Sequence, residues 1–361
     1  PWPQAAPWRW PKQGNRLVLS VEMKARVDRK AILAAAGLLT VLSLLLAGAL
    51  LLSRWEEGGF PARESTAPEP APEDDGELVF YDGTWYAPRR DLETVLVLGL
   101  DRSEREGIGT TGDYAQSDLM LLLEIDRTAG VCRAVHLNRD TMAEIQDFDR
   151  YGRPSGTYRA QLTLAYAHAQ AYTKNNATAC KTAVKAVSEL LYGVEIDHYV
   201  TLTMDGLIEL NDLAGGVEVE IRDDFSAVDP TLVRGETVTL LGEHALNYVR
   251  ARWYVGDNTN LERMERQRED LLALQEKLSG LAEKDEEFIM SSLLRVNEHM
   301  NSDCTIQQLA QLAEDVRTFP VERISTLEGE AVQGAEFMEF HADEEALQRL
   351  VIEDFYQPAE D

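Results

Sequence analysis

The sequence predicts an α/β fold: a single extracytoplasmic mixed-sheet domain with helices on both faces, preceded by one transmembrane helix. Three observations carry that expectation. From residue 91 onward, short apolar runs of strand type interleave with segments of helical period, a pattern that buries its apolar faces by laying helices over a sheet. Residues 31–53 hold no charged side chain. The 361-residue chain has a formal net charge of −28, yet its first 30 residues hold seven Lys/Arg against two acids.

Residues 1–30 read as a cytoplasmic basic tail. Met23 opens the compact basic stretch MKARVDRK, the expected true start of translation. Residues 31–53, AILAAAGLLTVLSLLLAGALLLS, would span about 34 Å as a helix, enough for a hydrocarbon layer of about 30 Å. The run is too apolar for a core helix and longer than a signal-peptide core, and no small-residue cleavage site follows it before Arg54. Arg26, Arg29 and Lys30 precede the span while Glu56 and Glu57 follow it. Positive charge stays inside, so the rest of the chain is expected outside the cell.

Residues 54–90 form an acidic, Pro-rich tether and a short hairpin. The stretch 56–77 has four prolines and no large aliphatic side chain, so it cannot bury enough apolar surface to offset its ordering entropy. LVFYDGTWY (78–86) then reads as a hairpin turning at Asp82-Gly83. The remaining domain is expected over 91–361. TVLVLGL (94–100), DLMLLLEI (118–125), RAVHLN (133–138) and HYVTLTM (198–204) read as strands, and 177–192 as a helix. Asp205 is the expected cap of a helix ending at Gly215-Gly216, followed by the strand VEVEI. Helices near 261–281 and 305–318, the strands ERISTL and AEFMEF, and a closing helix near 344–356 complete the order.

Several chemistries are excluded or disfavoured. Residues 54–361 carry a net −33, which repels phosphodiester backbones, so no nucleic-acid partner is expected. Gly107–Gly112 matches G-x-G-x-x-G, but a strand pattern follows where a dinucleotide site needs a helix, so it reads as a glycine loop. The six histidines form no metal-ligand spacing and no G-x-S-x-G elbow occurs. Cys132 and Cys180 leave pairing open, with Cys304 over.

Arginine is the more informative residue. Every basic residue from 250 to 268 is arginine: Arg250, Arg252, Arg263, Arg266 and Arg268. On a helix, Arg263, Arg266 and Asp270 share one arc, opposite Leu261, Met264, Leu271 and Leu272. A solvated face is the plain reading of such an arc. Lysine would serve a solvated face equally well, whereas a planar fork suits bidentate phosphate. Arg139 stands at another strand end, Asp101 ends one strand and Asp118 begins the next. Two carboxylates beside a phosphate site call for a cation between them, with Mg²⁺ the expected one.

The stretches VLVLGLD (95–101), SDLMLL (117–122), NRDTM (138–142), DHYVTLTMDGLIELNDLAGGVEVEI (197–221), LLGEHALNYVRAR (240–252) and NLERMERQRE (260–269) occur in an order that resembles the LytR-CpsA-Psr family of bacterial cell-wall glycopolymer ligases. The resemblance implies an Mg²⁺-dependent, membrane-anchored phosphotransferase. Its donor would be a polyprenyl-pyrophosphate-linked glycan whose lipid lies in an apolar tunnel, and its acceptor a peptidoglycan hydroxyl. It assigns Asp101 and Asp118 as metal ligands or base. Arg139, Arg250, Arg252, Arg263 and Arg266 become the phosphate clamp, supported by Asp257 and Gln267. Two positions depart from the family pattern. Ser103 stands where an arginine is common, with Arg102 one residue earlier, and Gln116-Ser117-Asp118 replaces R-S-D. The alternative is a regulatory or wall-binding attenuator protein without catalysis.

Overall fold

The computed structural model describes residues 78–101, 114–251, 254–256, 260–285, 287–335 and 337–359. The expected tail, the apolar span 31–53, the tether 56–77, the glycine loop 107–112, Arg102, Arg252 and Asp257 lie outside the described residues.

Strands β1 (Val79–Tyr81) and β2 (Thr84–Pro88) form the expected hairpin, with Asp82 and Gly83 at φ of 44° and 81°. An Asp-Gly pair reaches that left-handed turn at low cost. Three long strands follow: β3 (Leu92–Leu100), β4 (Ser117–Asp126) and β5 (Val131–His136). A second hairpin, β6 (Met142–Phe148) with β7 (Pro154–Gln161), leads into helices α1 (Leu164–Thr173) and α2 (Asn176–Leu190). Next come β8 (His198–Thr203), α3 (Met204–Leu213), β9 (Val217–Glu220), β10 (Thr237–Leu240) and α4 (Glu243–Arg250). The chain continues through α5 (Asn260–Ala282), α6 (Phe288–Val296), β11 (Met300–Ser302) and α7 (Ile306–Thr318). It closes with β12 (Val321–Thr326), β13 (Gly329–Gln333), β14 (Met338–Ala342), α8 (Glu344–Phe355) and β15 (Tyr356–Pro358).

The main sheet has the order β11-β8-β3-β4-β5-β12 and is mixed. β3 pairs parallel with β8 and β5 with β12, while β4 runs antiparallel between β3 and β5. Period-two alternation sends Leu96, Leu98 and Leu100 of β3 to one face, where they join Tyr166, Ala183 and Val187 of α1 and α2. Val95 and Val97 point to the other face, towards Leu312 and Val316 of α7. Helices therefore cover both faces, as expected. A further core, with Val217, Phe225, Tyr248 and Leu274, joins β9, α4 and α5.

Several local expectations are corrected. Thr203, not Asp205, caps α3, its side chain accepting from Gly206 N, and Asp205 sits in the first turn. Helices α1, α4 and α6 went unread because eight to ten residues are too few for a helical period to stand out. The first hairpin belongs to the domain rather than to the tether. β2 pairs with β15, Arg89 N donates to Phe355 O at 2.8 Å, and Ala359 N donates to Trp85 O at 2.9 Å. A partner at the far end of the chain leaves no trace in a local pattern. All three cysteines are free, and Cys132 and Cys180 lie in cores on opposite faces of the main sheet.

Candidate active site

Mixed strand directions bring three chain segments together at one end of the central strands. β3 ends there, β4 begins there and β5 leaves there, so Asp101, Asp118 and Arg139 become neighbours. The β3–β4 register passes from Gly99 opposite Leu119 to Leu100 opposite Ser117, leaving Asp118 as the extra residue of a bulge. Bulges re-aim side chains, and this one turns Asp118 out of the ladder. Gly99 permits the close approach, since a Cβ there would sit 2.9 Å from Leu119 Cβ.

Asp118, 7% exposed, is held between two guanidinium groups. Arg139 Nη1 donates to Oδ1, and Arg263 Nη1 donates to Oδ2 at 2.7 Å. Arg139 also donates to Gln116 Oε1, an acceptor that the arginine of the family pattern could not supply. Arg263, 3% exposed, donates its other arm to Asn260 Oδ1 at 2.5 Å. Asn260 in turn donates to Asn138 Oδ1 at 2.8 Å, which also receives Asp140 N at 3.0 Å. A chain of buried amides thus orients the guanidinium. Sequence reasoning missed Asn138 and Asn260. The one available signal was that Asn138 adjoins Arg139 and Asn260 lies three residues before Arg263, within motifs already singled out.

Arg250, at the end of α4, places Nη2 2.9 Å from Asp101 Oδ1. That oxygen is buried and receives no hydrogen bond. Arg266 is turned elsewhere. Its Nε donates to Tyr248 O at 3.2 Å, Nη2 donates to Ala251 O and Nη1 donates to Asp223 Oδ2 at 2.9 Å. Gln267 Nε2 reaches Val249 O at 3.4 Å. Both side chains tie α5 to the backbone that carries Arg250. The structure therefore gathers Arg139, Arg250 and Arg263 on the two aspartates, while Arg266 and Gln267 brace the scaffold beneath them.

The plain reading of the arginine arc is overturned. Arg263, Arg266 and Asp270 are 3%, 5% and 3% exposed, whereas Leu261, on the supposed inner side, is 51% exposed. The amphipathic argument assumes that the apolar stripe faces inward; at this end of α5 ion pairs and carbonyls receive the polar arc instead. Burial alone pushes the Asp270 carboxyl up to about 7. His136, at the end of β5, is buried with Nε2 receiving no hydrogen bond. Burial, then Arg268 and Arg263, push its imidazole down to about 4, so it stays neutral and adds no charge beside the arginines.

Farther along α5 the character changes. Leu271, Leu274 and Leu278 line a cavity of about 350 Å³ with Val97 and Val200 of the sheet and Phe288, Ile289 and Leu293 of α6. Its volume and almost wholly apolar lining fall in the range of ligand pockets. Arg263 and Leu274 are eleven residues apart on one helix, about 16 Å. One rigid element therefore carries both an anion-binding end and an apolar lining.

The donor set also bears on magnesium. Asp101 and Asp118 offer hard carboxylate oxygens on adjacent strand ends, now paired with arginines that phosphate would draw away, which fits an ion that takes one or two carboxylates together with substrate phosphate.

The LytR_cpsA_psr family model matches residues 74–351. The polyisoprenyl-teichoic acid–peptidoglycan teichoic acid transferase TagU of Enterococcus faecalis is 27% identical over 71% of this chain and 77% of its own. Among solved structures, protein gbs0355 of Streptococcus agalactiae superposes with a TM-score of 0.58 at 23% identity, covering 73% of this chain and 88% of that one. TagT bound to LI-WTA gives 0.53 at 21% identity, covering 73% and 89%. These likenesses show a shared fold.

Proposed function

Because the chain belongs to the LytR_cpsA_psr family, we propose that it is a cell-wall glycopolymer transferase working on a polyprenyl-pyrophosphate-linked glycan. Residues 31–53 would hold it in the membrane with the domain outside. The observation that carries the reading is the joining of a strand-end arginine cluster to an apolar cavity by the single helix α5. A polyprenyl diphosphate has that division, a doubly anionic head on a hydrocarbon tail. The curated relative TagU is named as a transferase of this kind.

In the proposed reaction, a peptidoglycan hydroxyl attacks the phosphorus bonded to the glycan. A new phosphate ester bond forms and the bond to the bridging oxygen breaks. Polyprenyl monophosphate leaves with the electron pair. Arg139, Arg250 and Arg263 hold the non-bridging oxygens, and their charge matters most as negative charge spreads over them in the transition state. To meet phosphate, Arg139 and Arg263 release Asp118, and that carboxylate becomes available to a cation. Asp101 and Asp118 would hold Mg²⁺, which supplies further charge neutralisation. Asp101, whose buried Oδ1 is ion-paired with Arg250, would take the proton of the attacking hydroxyl once Arg250 turns to the phosphate.

The test is extraction of the full chain from membranes in mild detergent and mass spectrometry of the lipid it retains. A polyprenyl-diphosphate glycan, lost in an Arg139→Gln/Arg263→Gln double variant, is the expected result. Retention of ordinary phospholipid alone, equally in both proteins, overturns it. A regulatory protein without catalysis would keep its cellular effect in Asp101→Asn.

A further inference from the structure

At the other end of β3 and β8, away from the arginines, three side chains converge from two segments. His198 opens β8 opposite Val95 of β3, six residues before Asp101, which places it about 20 Å from the candidate active site. Asp303 and Cys304 form the turn between β11 and α7. His198 Nδ1 lies 3.6 Å from Asp303 Oδ1, and Cys304 Sγ lies 4.0 Å from that same oxygen. The three donor atoms all fall within 4.8 Å of one another.

We propose that His198, Asp303 and Cys304 form a binding site for a borderline-soft divalent transition ion, Zn²⁺ foremost. Bonds of about 2.0–2.3 Å in tetrahedral arrangement put neighbouring donors about 3.3–3.6 Å apart. The His–Asp separation already meets that spacing, and the Cys–Asp separation needs a contraction of a few tenths of an ångström. The donor types select the ion, since imidazole with thiolate favours zinc over magnesium or calcium. His198 Nδ1 is buried and makes no hydrogen bond. Its other nitrogen, Nε2, lies 3.5 Å from Glu93 Oε1. A carboxylate behind the non-ligating nitrogen of a histidine is the usual support of a metal-bound imidazole, fixing its tautomer and orientation.

The turn is also held in advance. Asp303 Oδ1 accepts Tyr199 N at 3.0 Å, Cys304 N donates to Ser302 Oγ at 3.0 Å, and Ser302 Oγ donates to Tyr199 O at 2.7 Å. Thr305 then caps α7 with a full capping box. A metal here would pin the edge of the main sheet to α7, with water in the fourth position. The site stands independently of the proposed transferase reaction.

The experiment titrates the untagged full chain, reduced and stripped with chelator, with Co²⁺ and then Zn²⁺. The expected result is a thiolate-to-cobalt charge-transfer band saturating at one equivalent and erased by Zn²⁺. The band should be absent in Cys304→Ser, and affinity should fall at least tenfold in His198→Gln and about tenfold in Glu93→Gln. Zn²⁺ should raise the unfolding temperature of the wild type and leave that of Cys304→Ser unchanged. Asp303→Asn, a near-isosteric change at an exposed position, provides a second folded variant with weakened binding. Absence of the band in the wild type, or its survival in Cys304→Ser, overturns the proposal.

Discussion

Replacing Arg263 by methionine probes the centre of the site. The guanidinium is 3% exposed and divides its donors between Asp118 Oδ2 at 2.7 Å and Asn260 Oδ1 at 2.5 Å. Removing one member of a buried pair costs about 3–5 kcal/mol, because the remaining charge keeps its desolvation penalty and loses its partner. Arg139 still neutralises the other oxygen of Asp118, which places the expected loss at the low end, about 3 kcal/mol. With a urea m-value of about 1–3 kcal/mol/M, the unfolding midpoint should fall by about 1–3 M. Arg263→Lys keeps the charge and loses the fork, so about 1.5 kcal/mol is expected, with turnover lost more than binding. Asp118→Asn leaves two guanidiniums facing each other, so inorganic pyrophosphate should stabilise that variant more than the wild type, in which the carboxylate competes for the same donors. A methionine variant within about 0.5 kcal/mol of the wild type, the range of an ordinary surface change, would refute the reasoning.

Arg266→Lys removes a fork that braces the end of α4, so stability should fall by about 1.5–3 kcal/mol and kcat should drop while KM for the donor changes little. The Asp270 carboxyl is at about 7 in the fold against 3.8 ordinarily, so the unfolded chain loses its proton first and stability falls as pH rises from about 4 to 7. Asp270→Asn cannot ionise. Its stability relative to the wild type should climb through that window by up to about 4 kcal/mol and stay level above it, as followed by urea unfolding at successive pH values. Ala313→Trp fills part of the apolar cavity from α7. Each displaced methylene is worth about 0.8 kcal/mol, so KM for a long-chain polyprenyl donor should rise about tenfold or more while a short-chain analogue is unaffected.

The layered sheet was legible because alternation in 94–100 and 118–125 is strong and each strand buries both faces, as Leu96 and Val95 show. The site residues were legible as types at strand ends, since a carboxylate or arginine there lies outside the apolar pattern. Their grouping was not. The bulge that turns Asp118 depends on a register that local sequence does not encode. The inward turn of Arg266 depends on carbonyls of 248 and 251, and a backbone acceptor carries no side-chain signature. The placement of Arg263 depends on Asn138, 122 residues away from its neighbour Asn260. The first hairpin was recognised by its Asp-Gly turn, yet its place in the domain rests on β15 at the opposite end of the chain.

The central claim is that the arginine-lined strand ends transfer a glycan together with one phosphate. Its most direct test incubates the purified chain with a polyprenyl-diphosphate glycan and peptidoglycan, digests the product, and weighs both the muropeptides and the released lipid. The account predicts a muropeptide joined to glycan through one phosphate, matched by polyprenyl monophosphate and absent in Asp101→Asn and Arg263→Lys. Release of polyprenyl diphosphate with a linkage lacking phosphate, or no linkage at all, would contradict it.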